Sequence, residues 1–462
     1  MSAVAQHVAD LKATFRSGKT RSYEWRLEQL KQLVKLIDEN EDQFIEALKQ
    51  DSGKSEFSAF AGEILFVRAE AMHAIKHLKK WMKPKKVASP LFLWPCKSKI
   101  QPTPYGVMLI GVAWNFPLHL TIGPLAAGLA AGNTALIKPP SMSPAFSKLI
   151  EELIPKYLDN DAVRVHQPSG PDRDELLRQK YDLILYTGSY MVGQIVMRAA
   201  AEHLTPVLLE LGGKNPCIVA EDAKLDATAN RIIDAKFLNA GQVCVTVDYI
   251  LVHESIKEAL VAKLKEKVEY MFGENPKDSI AYSRIINSHH YERLKALCDD
   301  GDIVVGGQFD AEDNYISPTV LDNVSLDSEV MRDEIFGPIL PVLSYSNKQD
   351  ILDIMARYGK PLCLYIFTEN NAFADDIINS TESGSVGINS VMLHMPNHNL
   401  PFGGVGESGM GQYHGKYGFD AMSHMRPIVN KPTWLDVKQS YPPIADRAEL
   451  DQRKKAMRFL MK

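Results

Sequence analysis

Apolar residues recur every three or four positions through residues 4–83, and that spacing predicts helices there. Leu27, Leu30, Leu33, Leu36 and Ile37 fall on one face, Phe44, Ile45 and Leu48 extend it, and Glu, Lys and Gln fill the other positions. The rhythm breaks between 84 and 104, where five prolines surround Leu91-Phe92-Leu93-Trp94. A long loop and an extended hairpin both fit; a hairpin would carry its apolar residues to a partner subunit that covers them. From 105 short apolar runs alternate with helical stretches. Runs at 107–113, 134–138, 163–167 and 183–187 predict strands, and 117–132, 143–158 and 191–202 predict helices. That alternation implies a parallel, doubly wound sheet of the dinucleotide-binding type. Small residues at 125–132 would let the first of these helices lie close to the sheet. A second α/β unit starts near 210, with strands expected at 250–252, 303–305, 339–343 and 363–367 and helices at 255–271 and 371–381. After 418 the pattern is short and irregular.

Composition narrows the classes. A chain of 462 residues, 45% hydrophobic, can bury two or three cores. Its net charge of −5 offers no basic footprint for nucleic acid. The five cysteines (96, 217, 244, 298 and 363) are odd in number and lack metal-ligand spacing. They argue against a disulfide framework or a zinc site and for a reducing, cytoplasmic setting. The first residues show no signal-peptide pattern, and no apolar run is long enough to span a bilayer. The last ten residues form a basic amphipathic tail, read as a solvated terminus rather than a membrane anchor.

Chemistry concentrates in the stretch 208–244. Glu210-Leu211-Gly212-Gly213-Lys214 sets a carboxylate beside a glycine pair, and Gly241-Gln242-Val243-Cys244 supplies a cysteine. A thiolate is a nucleophile, and a carboxylate can activate water for the second half of a covalent cycle. Singly, each is commonplace in a core or on a surface. Gly53-Lys54-Ser55 has the tail of a phosphate-binding loop, but Leu48 stands where the upstream glycine belongs, and the motif is set aside. The run 404–409 spells GxGxxG by letter, yet no strand precedes it and no clean helix follows. Thr187-Gly188-Ser189, with Gly193 in the next turn, is a better phosphate site, because N–H groups at a helix N-terminus attract a pyrophosphate. A plain strand-to-helix turn is equally open there. In Trp114-Asn115-Phe116-Pro117 the Asn115 amide could donate to an oxyanion or act as an ordinary helix cap. Lys138 could reach ribose hydroxyls or lie on the surface. Glu334-Ile335-Phe336-Gly337-Pro338 puts an acid and an aromatic beside a turn, and Pro401-Phe402-Gly403-Gly404 repeats the theme.

In combination and in this order, the motifs at 114–117, 138–139, 187–193, 210–214, 241–244, 334–338 and 401–404 resemble those of the aldehyde dehydrogenase superfamily. The likeness runs from about 15 to 443. The segments at 15–21, 201–206 and 406–415 are similar to its class 3 group, which includes fatty-aldehyde and coniferyl-aldehyde dehydrogenases.

The resemblance implies an α/β fold of the aldehyde dehydrogenase type. A Rossmann-type cofactor domain would take 1–83 and 105–209, an α/β catalytic domain 210–417, and a bridging and oligomerisation arm 84–104 and 418–443. Residues 444–462 would form a tail, and the arm commonly serves a homodimer. It implies NAD- or NADP-dependent oxidation of an aliphatic or aromatic aldehyde to the acid, through a cysteine thiohemiacetal and thioester. Cys244 would be the nucleophile, Asn115 with the Cys244 backbone N–H the oxyanion hole, and Glu210 the general base. Glu334 and Lys138 would hold the two riboses, with Gly188, Ser189, Gly193 and Phe336 also at the cofactor. Trp114, Phe116, Leu118, His119, Phe237 and Met392 are candidates for an access funnel. Ser141 stands where the family usually has a glutamate that binds the adenosine ribose, and NADP is therefore expected to serve at least as well as NAD. Membrane-bound relatives carry a C-terminal apolar anchor, and none is expected here. Two rivals remain: an enzyme that passes the thioester to coenzyme A, against which Glu210 argues, and an idle structural relative. Joint retention of Cys244, Glu210, Asn115 and Glu334 argues against the second.

Overall fold

The N-terminal segment folds into the predicted helices. Ser22 caps Tyr23–Glu39 through its side chain, and Leu30, Leu33, Leu36 and Ile37 of that helix are fully buried. They pack toward Leu65–Trp81 and Pro117–Ala131. The latter helix is buried along its whole length, which is why its sequence carries no polar face. This computed structural model describes residues 2–168, 172–436 and 441–461.

Six strands form the first sheet, in the order Gly409–Met410, Val207–Glu210, Leu183–Thr187, Val107–Gly111, Thr134–Lys138, Val163–Val165. All but the first run parallel. The chain builds outward from Val107–Gly111 to one side, then starts again on the other with Leu183–Thr187. Doubly wound sheets bind ligands outside the carboxyl ends of the strands at such a reversal. The pairings Gly111 with Lys138, Gly111 with Tyr186, and Thr187 with Glu210 bring those ends level. The strand beginning at 107 stops at Gly111 and the one beginning at 163 stops at Val165, each two residues earlier than expected. The GxGxxG run at 404–409 is a sheet edge: Gly409 pairs antiparallel with Glu210, and Ser408 O accepts from Leu211 N at 3.0 Å.

Seven strands form the second sheet, in the order Asp302–Val305, Thr319–Asp322, Ile339–Tyr345, Tyr249–His253, Pro216–Val219, Cys363–Phe367, Ser385–Ile388. It is parallel except at Asp302–Val305.

A third, three-stranded sheet stands apart from these two. Lys85–Val87 and Lys97–Pro104 form a hairpin through the turn Leu91–Leu93, and Ser423–Asn430 pairs along all of Lys97–Pro104. The hairpin reading of 84–104 therefore holds over the loop. The expectation of irregular structure after 418 is corrected by that strand of 8 residues and by a 14-residue helix, Arg447–Leu460. The strand shows no apolar period because it is exposed at most positions, while the helix is charge-rich but amphipathic and overlaps the basic amphipathic tail expected at the chain's end. Residues 437–440 of the 418–443 segment and residue 462 of the tail lie outside the described residues. Among the described residues no helix is long and apolar enough to cross a membrane.

Candidate active site

The reversal in strand order opens into a cavity of about 810 Å³. One wall comes from the carboxyl ends of the first sheet: Lys138 and Ser141 follow one strand, Gly188 and Ser189 another, and Glu210 ends a third. The opposite wall carries Cys244, Glu334 and Phe336, and Trp114 and Asn115 complete the lining. Ser189 caps the helix Tyr190–Ala201, and its hydroxyl accepts from Val192 N at 3.5 Å. Lys138 Nζ donates to Ser141 Oγ at 3.3 Å. A helix N-terminus, a cation, a hydroxyl and an acid around a space of this size suit a dinucleotide. Gly193 packs on Leu211 behind the wall rather than lining it.

The funnel candidates scatter. Trp114 lies on the cavity wall, edge-on to Phe336 with ring centroids 5.4 Å apart. Leu118 and Phe237, at 0% and 1% exposure, are core residues, and this corrects their assignment to a funnel. Their apolar side chains are worth more buried, and Phe237 packs edge-on to Phe272. Phe116 and His119 are buried beside the cavity, His119 with its ring 3.9 Å from that of Phe66. Met392 is half-buried in a left-handed backbone conformation, φ 61°.

Burial governs the titration of the site. Glu210 is buried, neither carboxylate oxygen has a hydrogen-bond partner among the described residues, and desolvation lifts its pKa well above the usual carboxylate range. Burial also pushes the Cys244 thiol up, reinforced by the nearby Glu334, Cys363 and Glu210. Glu334 is raised to about 8 by burial and by the charge of Asp248. Burial in the site thus favours the neutral forms of these groups.

The loop before Cys244 is strained and tightly tied. Asn239, Ala240 and Gly241 are all left-handed, with φ of 51°, 52° and 73°. For the two non-glycines that costs on the order of 1–2 kcal/mol each, and such strain persists only where the surroundings over-determine it. The Gln242 amide donates to Asn239 O at 3.0 Å and Arg284 O at 2.9 Å, and its oxygen accepts from Ile286 N at 3.0 Å. Asn239 Nδ2 reaches Asn115 O at 3.2 Å, and Asn115 Nδ2 donates to Gln242 O at 3.1 Å. Beyond the cysteine, Asn215 Nδ2 donates to Cys244 O at 2.7 Å and Thr246 O at 2.9 Å, while its Oδ1 accepts from Cys363 N at 2.9 Å. The nucleophile candidate is held on both sides.

The motifs also interlock with one another. Buried Lys214 donates to Asp248 Oδ2 at 2.6 Å and to Val330 O and Asp333 O at 2.8 Å. Asp248 Oδ1 in turn accepts from Ile335 N at 2.9 Å, so Lys214 and Asp248 fix the chain on either side of Glu334. A Cβ on Gly212 would fall 1.9 Å from Glu334 Oε2, and one on Gly241 2.2 Å from Gly337 O. Both glycines stand where two motifs touch.

The model of the aldehyde dehydrogenase family matches residues 2–428. The chain belongs to the aldehyde dehydrogenase family. It is 45% identical over 437 residues to "Aldehyde dehydrogenase family 3 comG" of Dictyostelium discoideum, covering 94% of this chain and 93% of the relative. It is 41% identical over 445 residues to "Aldehyde dehydrogenase, dimeric NADP-preferring" of Canis lupus familiaris, covering 96% and 98%. A solved structure, "Substrate bound state of Staphylococcus Aureus AldH", superposes with a TM-score of 0.96 at 40% identity and covers 100% of both chains. The class 3 resemblance is thereby supported, and the activity is NAD(P)-dependent oxidation of aldehydes.

In this aldehyde dehydrogenase the residues that sequence reasoning missed are those that hold other residues. Asn215, Asp248 and Glu63 carry no chemistry of their own and gave no local signal. Lys54 did stand out, as the end of a false phosphate loop. Its ammonium is instead fully buried against Glu63 and Asn115 O.

Proposed function

We propose that Cys244 is the nucleophile, Glu210 the general base, and Asn115 with the Cys244 backbone N–H the oxyanion hole, acting on an aliphatic or aromatic aldehyde. The observation that carries this reading is the buried Glu210 carboxyl, unpartnered among the described residues, on the same cavity as a partly accessible thiol. Cys244 first gives its thiol proton to solvent water; the thiolate sulfur then bonds the carbonyl carbon, and the carbonyl oxygen takes up the electron pair. Asn115 keeps one N–H on Gln242 O and turns the other to that oxygen. Lys138, Ser189 and Glu334 would hold the cofactor, which would supply the hydride acceptor for this carbon. A thioester then remains on Cys244. Glu210 takes a proton from water, the water oxygen attacks the thioester carbon, the C–S bond breaks and the acid leaves. Cys244→Ser tests this: it should lose aldehyde oxidation, followed by absorbance of the reduced cofactor, while still binding cofactor. Substantial turnover by that variant sinks the assignment, and a coenzyme A thioester as product would favour the acylating reading.

NADP serves at least as well as NAD, because a hydroxyl at Ser141 beside the Lys138 ammonium accepts a 2′-phosphate that a carboxylate would repel. The dog relative is named NADP-preferring, which supports this. Residues 1–83 with 105–209 form the cofactor domain and 210–417 the catalytic domain. The arm, 84–104 with 418–443, joins two copies into a homodimer. Leu91 and Trp94 of its turn are 69% and 65% exposed, surface that a second copy would cover. The same relative is named dimeric. Phe92→Ser with Trp94→Ser should shift the dimer toward monomer in sedimentation, and a wild-type monomer at micromolar concentration refutes the assembly. Five cysteines without a disulfide suit a reducing, cytoplasmic compartment.

A further inference from the structure

We propose that the buried pair Lys54–Glu63 is a positioning device for the Asn115 amide, setting its angle toward the substrate oxygen from outside the cavity. This rests on the reading of Asn115 as oxyanion donor. Neither Lys54 nor Glu63 lines the cavity, and both side chains have 0% exposure.

The helix Pro117–Ala131, which begins two residues after Asn115, has no cap of its own, since Phe116 at the cap position contributes no side-chain hydrogen bond. Glu63 supplies the cap from another helix: its Oε2 accepts from Leu118 N at 2.8 Å and His119 N at 3.2 Å. The other carboxylate oxygen is bound by Lys54 Nζ. Lys54 Nζ also donates to Asn115 O at 2.7 Å and lies 4.1 Å from the centroid of the Phe116 ring. One ion pair thus grips the backbone on both sides of the Asn115–Pro117 corner. A carboxylate is favoured at a helix N-terminus, and charge-assisted bonds are about twice as strong as neutral ones.

Two local features show that the chain is shaped for this contact. Glu63 sits in a π-helical turn, Phe60–Ile64, inserted between Glu56–Ala59 and Leu65–Trp81. Such turns redirect a side chain that a regular helix would aim elsewhere, and they are frequent at functional sites. Upstream, Asp51 near the end of the helix Glu41–Ser52 caps a second helix, Pro144–Tyr157, accepting from Ala145 N and Phe146 N, each at 2.9 Å. Residues 51–63 therefore set the starts of two helices whose preceding residues, Asn115 and Met142 among them, line the cavity. Lys54 adds a contact to the residue between sheet and helix that bears the donor.

Asn115 O is shared with Asn239 Nδ2, and Asn115 Nδ2 is anchored on Gln242 O. Lys54 fixes the backbone end of the residue and Gln242 the amide end. With both in place, the second amide N–H has one direction left. A small rotation of an oxyanion donor is expensive, since a displacement of about 1 Å can lower a rate by about a hundredfold.

The experiment uses the full-length enzyme with hexanal and NADP. Three variants are compared with wild type: Asn115→Ala, Lys54→Met combined with Glu63→Gln, and all three changes together. The paired change leaves no lone charge in the core and nearly preserves volume, and replacing a buried ion pair in this way is commonly tolerated. Asn115→Ala should lower kcat by about 10²–10³-fold. The paired variant should lower kcat by about ten- to a hundredfold with KM for NADP little changed. The triple variant should be no slower than Asn115→Ala, because the pair acts through that amide. A paired variant with wild-type kcat, or losses that multiply in the triple variant, overturns the proposal and leaves the pair a structural role. Asn115→Ala with wild-type kcat overturns the oxyanion reading itself, a separate result. If the paired variant fails to fold, Lys54→Gln combined with Glu63→Gln is assayed against the same criteria.

Discussion

The two walls of the cavity are built by different means. The wall at Gly188 and Ser189 uses regular geometry: parallel strands ending level, a tight turn, a serine cap and a helix N-terminus. The wall at Cys244 holds three left-handed residues in a row, kept in place by side chains from distant parts of the chain. Gln242 reaches 42 positions to Arg284, Asn115 reaches 127 to Gln242, and Asn215 reaches 148 to Cys363. A cofactor that can be gripped by its phosphates asks only for backbone. A nucleophile and an oxyanion donor must meet one carbon and one oxygen at fixed angles, and regular secondary structure does not supply those angles.

The largest effect should come from the chemistry wall. Glu210→Gln should slow steady-state turnover by about 10²–10⁴-fold, with a thioester trapped on Cys244 and visible by mass if acylation stays fast. Because desolvation raises the Glu210 pKa, the wild-type rate should climb with pH above the ordinary carboxylate value of about 4.3. The Gln variant should lack that limb. An unchanged rate excludes the role.

Next comes Asn215→Ala, which leaves two carbonyls and one N–H without their partner. It should cost about 2–4 kcal/mol of stability by denaturant titration. Ser189→Ala, its counterpart on the regular wall, should cost about 1 kcal/mol. A larger loss at Ser189 would reverse the comparison. Ser141→Glu tests the regular wall by its selectivity. It should lower kcat/KM for NADP roughly tenfold, the equivalent of about 1.4 kcal/mol, and spare NAD. A hundredfold NAD preference already present in wild type would end the NADP reading.

A further effect, read as a slope with pH rather than as a single loss, concerns Glu334. Its folded-state pKa of about 8 lies above that of an unfolded glutamate, so the folded chain holds a proton that the unfolded chain releases. The associated stability is complete below about pH 4.3 and is lost as pH rises toward 8. Glu334→Gln has no such slope. The Tm of wild type should therefore fall relative to the variant between pH 5 and pH 8, and parallel curves would remove the argument.

The same contrast explains what the sequence made legible. The strand ends at Lys138, Thr187 and Glu210 and the turn at Gly188 could be read because apolar runs and glycines mark them locally. Cys244 and Asn115 became readable through the order of motifs, without a periodicity of their own. Asp248 and Asn215 look like ordinary polar residues until the chain closes and buries them. Leu118 and Phe237 misled for the opposite reason, since an apolar side chain near a motif suits a pocket and a core equally well. Beyond 418 exposure hid the pattern: Ser423–Asn430 is held by backbone pairing to Lys97–Pro104, which needs no apolar alternation.

The asparagine that bridges Cys244 and Cys363 has one more property, which follows from its neighbour in the chain. Asparagines age by attack of the next residue's backbone nitrogen on the side-chain carbonyl, a cyclisation that ends in deamidation. Here the next residue is Pro216, whose nitrogen carries no hydrogen and cannot close that ring. Deamidation would replace the two donors to Cys244 O and Thr246 O with a carboxylate and set like against like. The dipeptide Asn215-Pro216 blocks this route, so the tie on the proposed nucleophile is protected chemically as well as by burial.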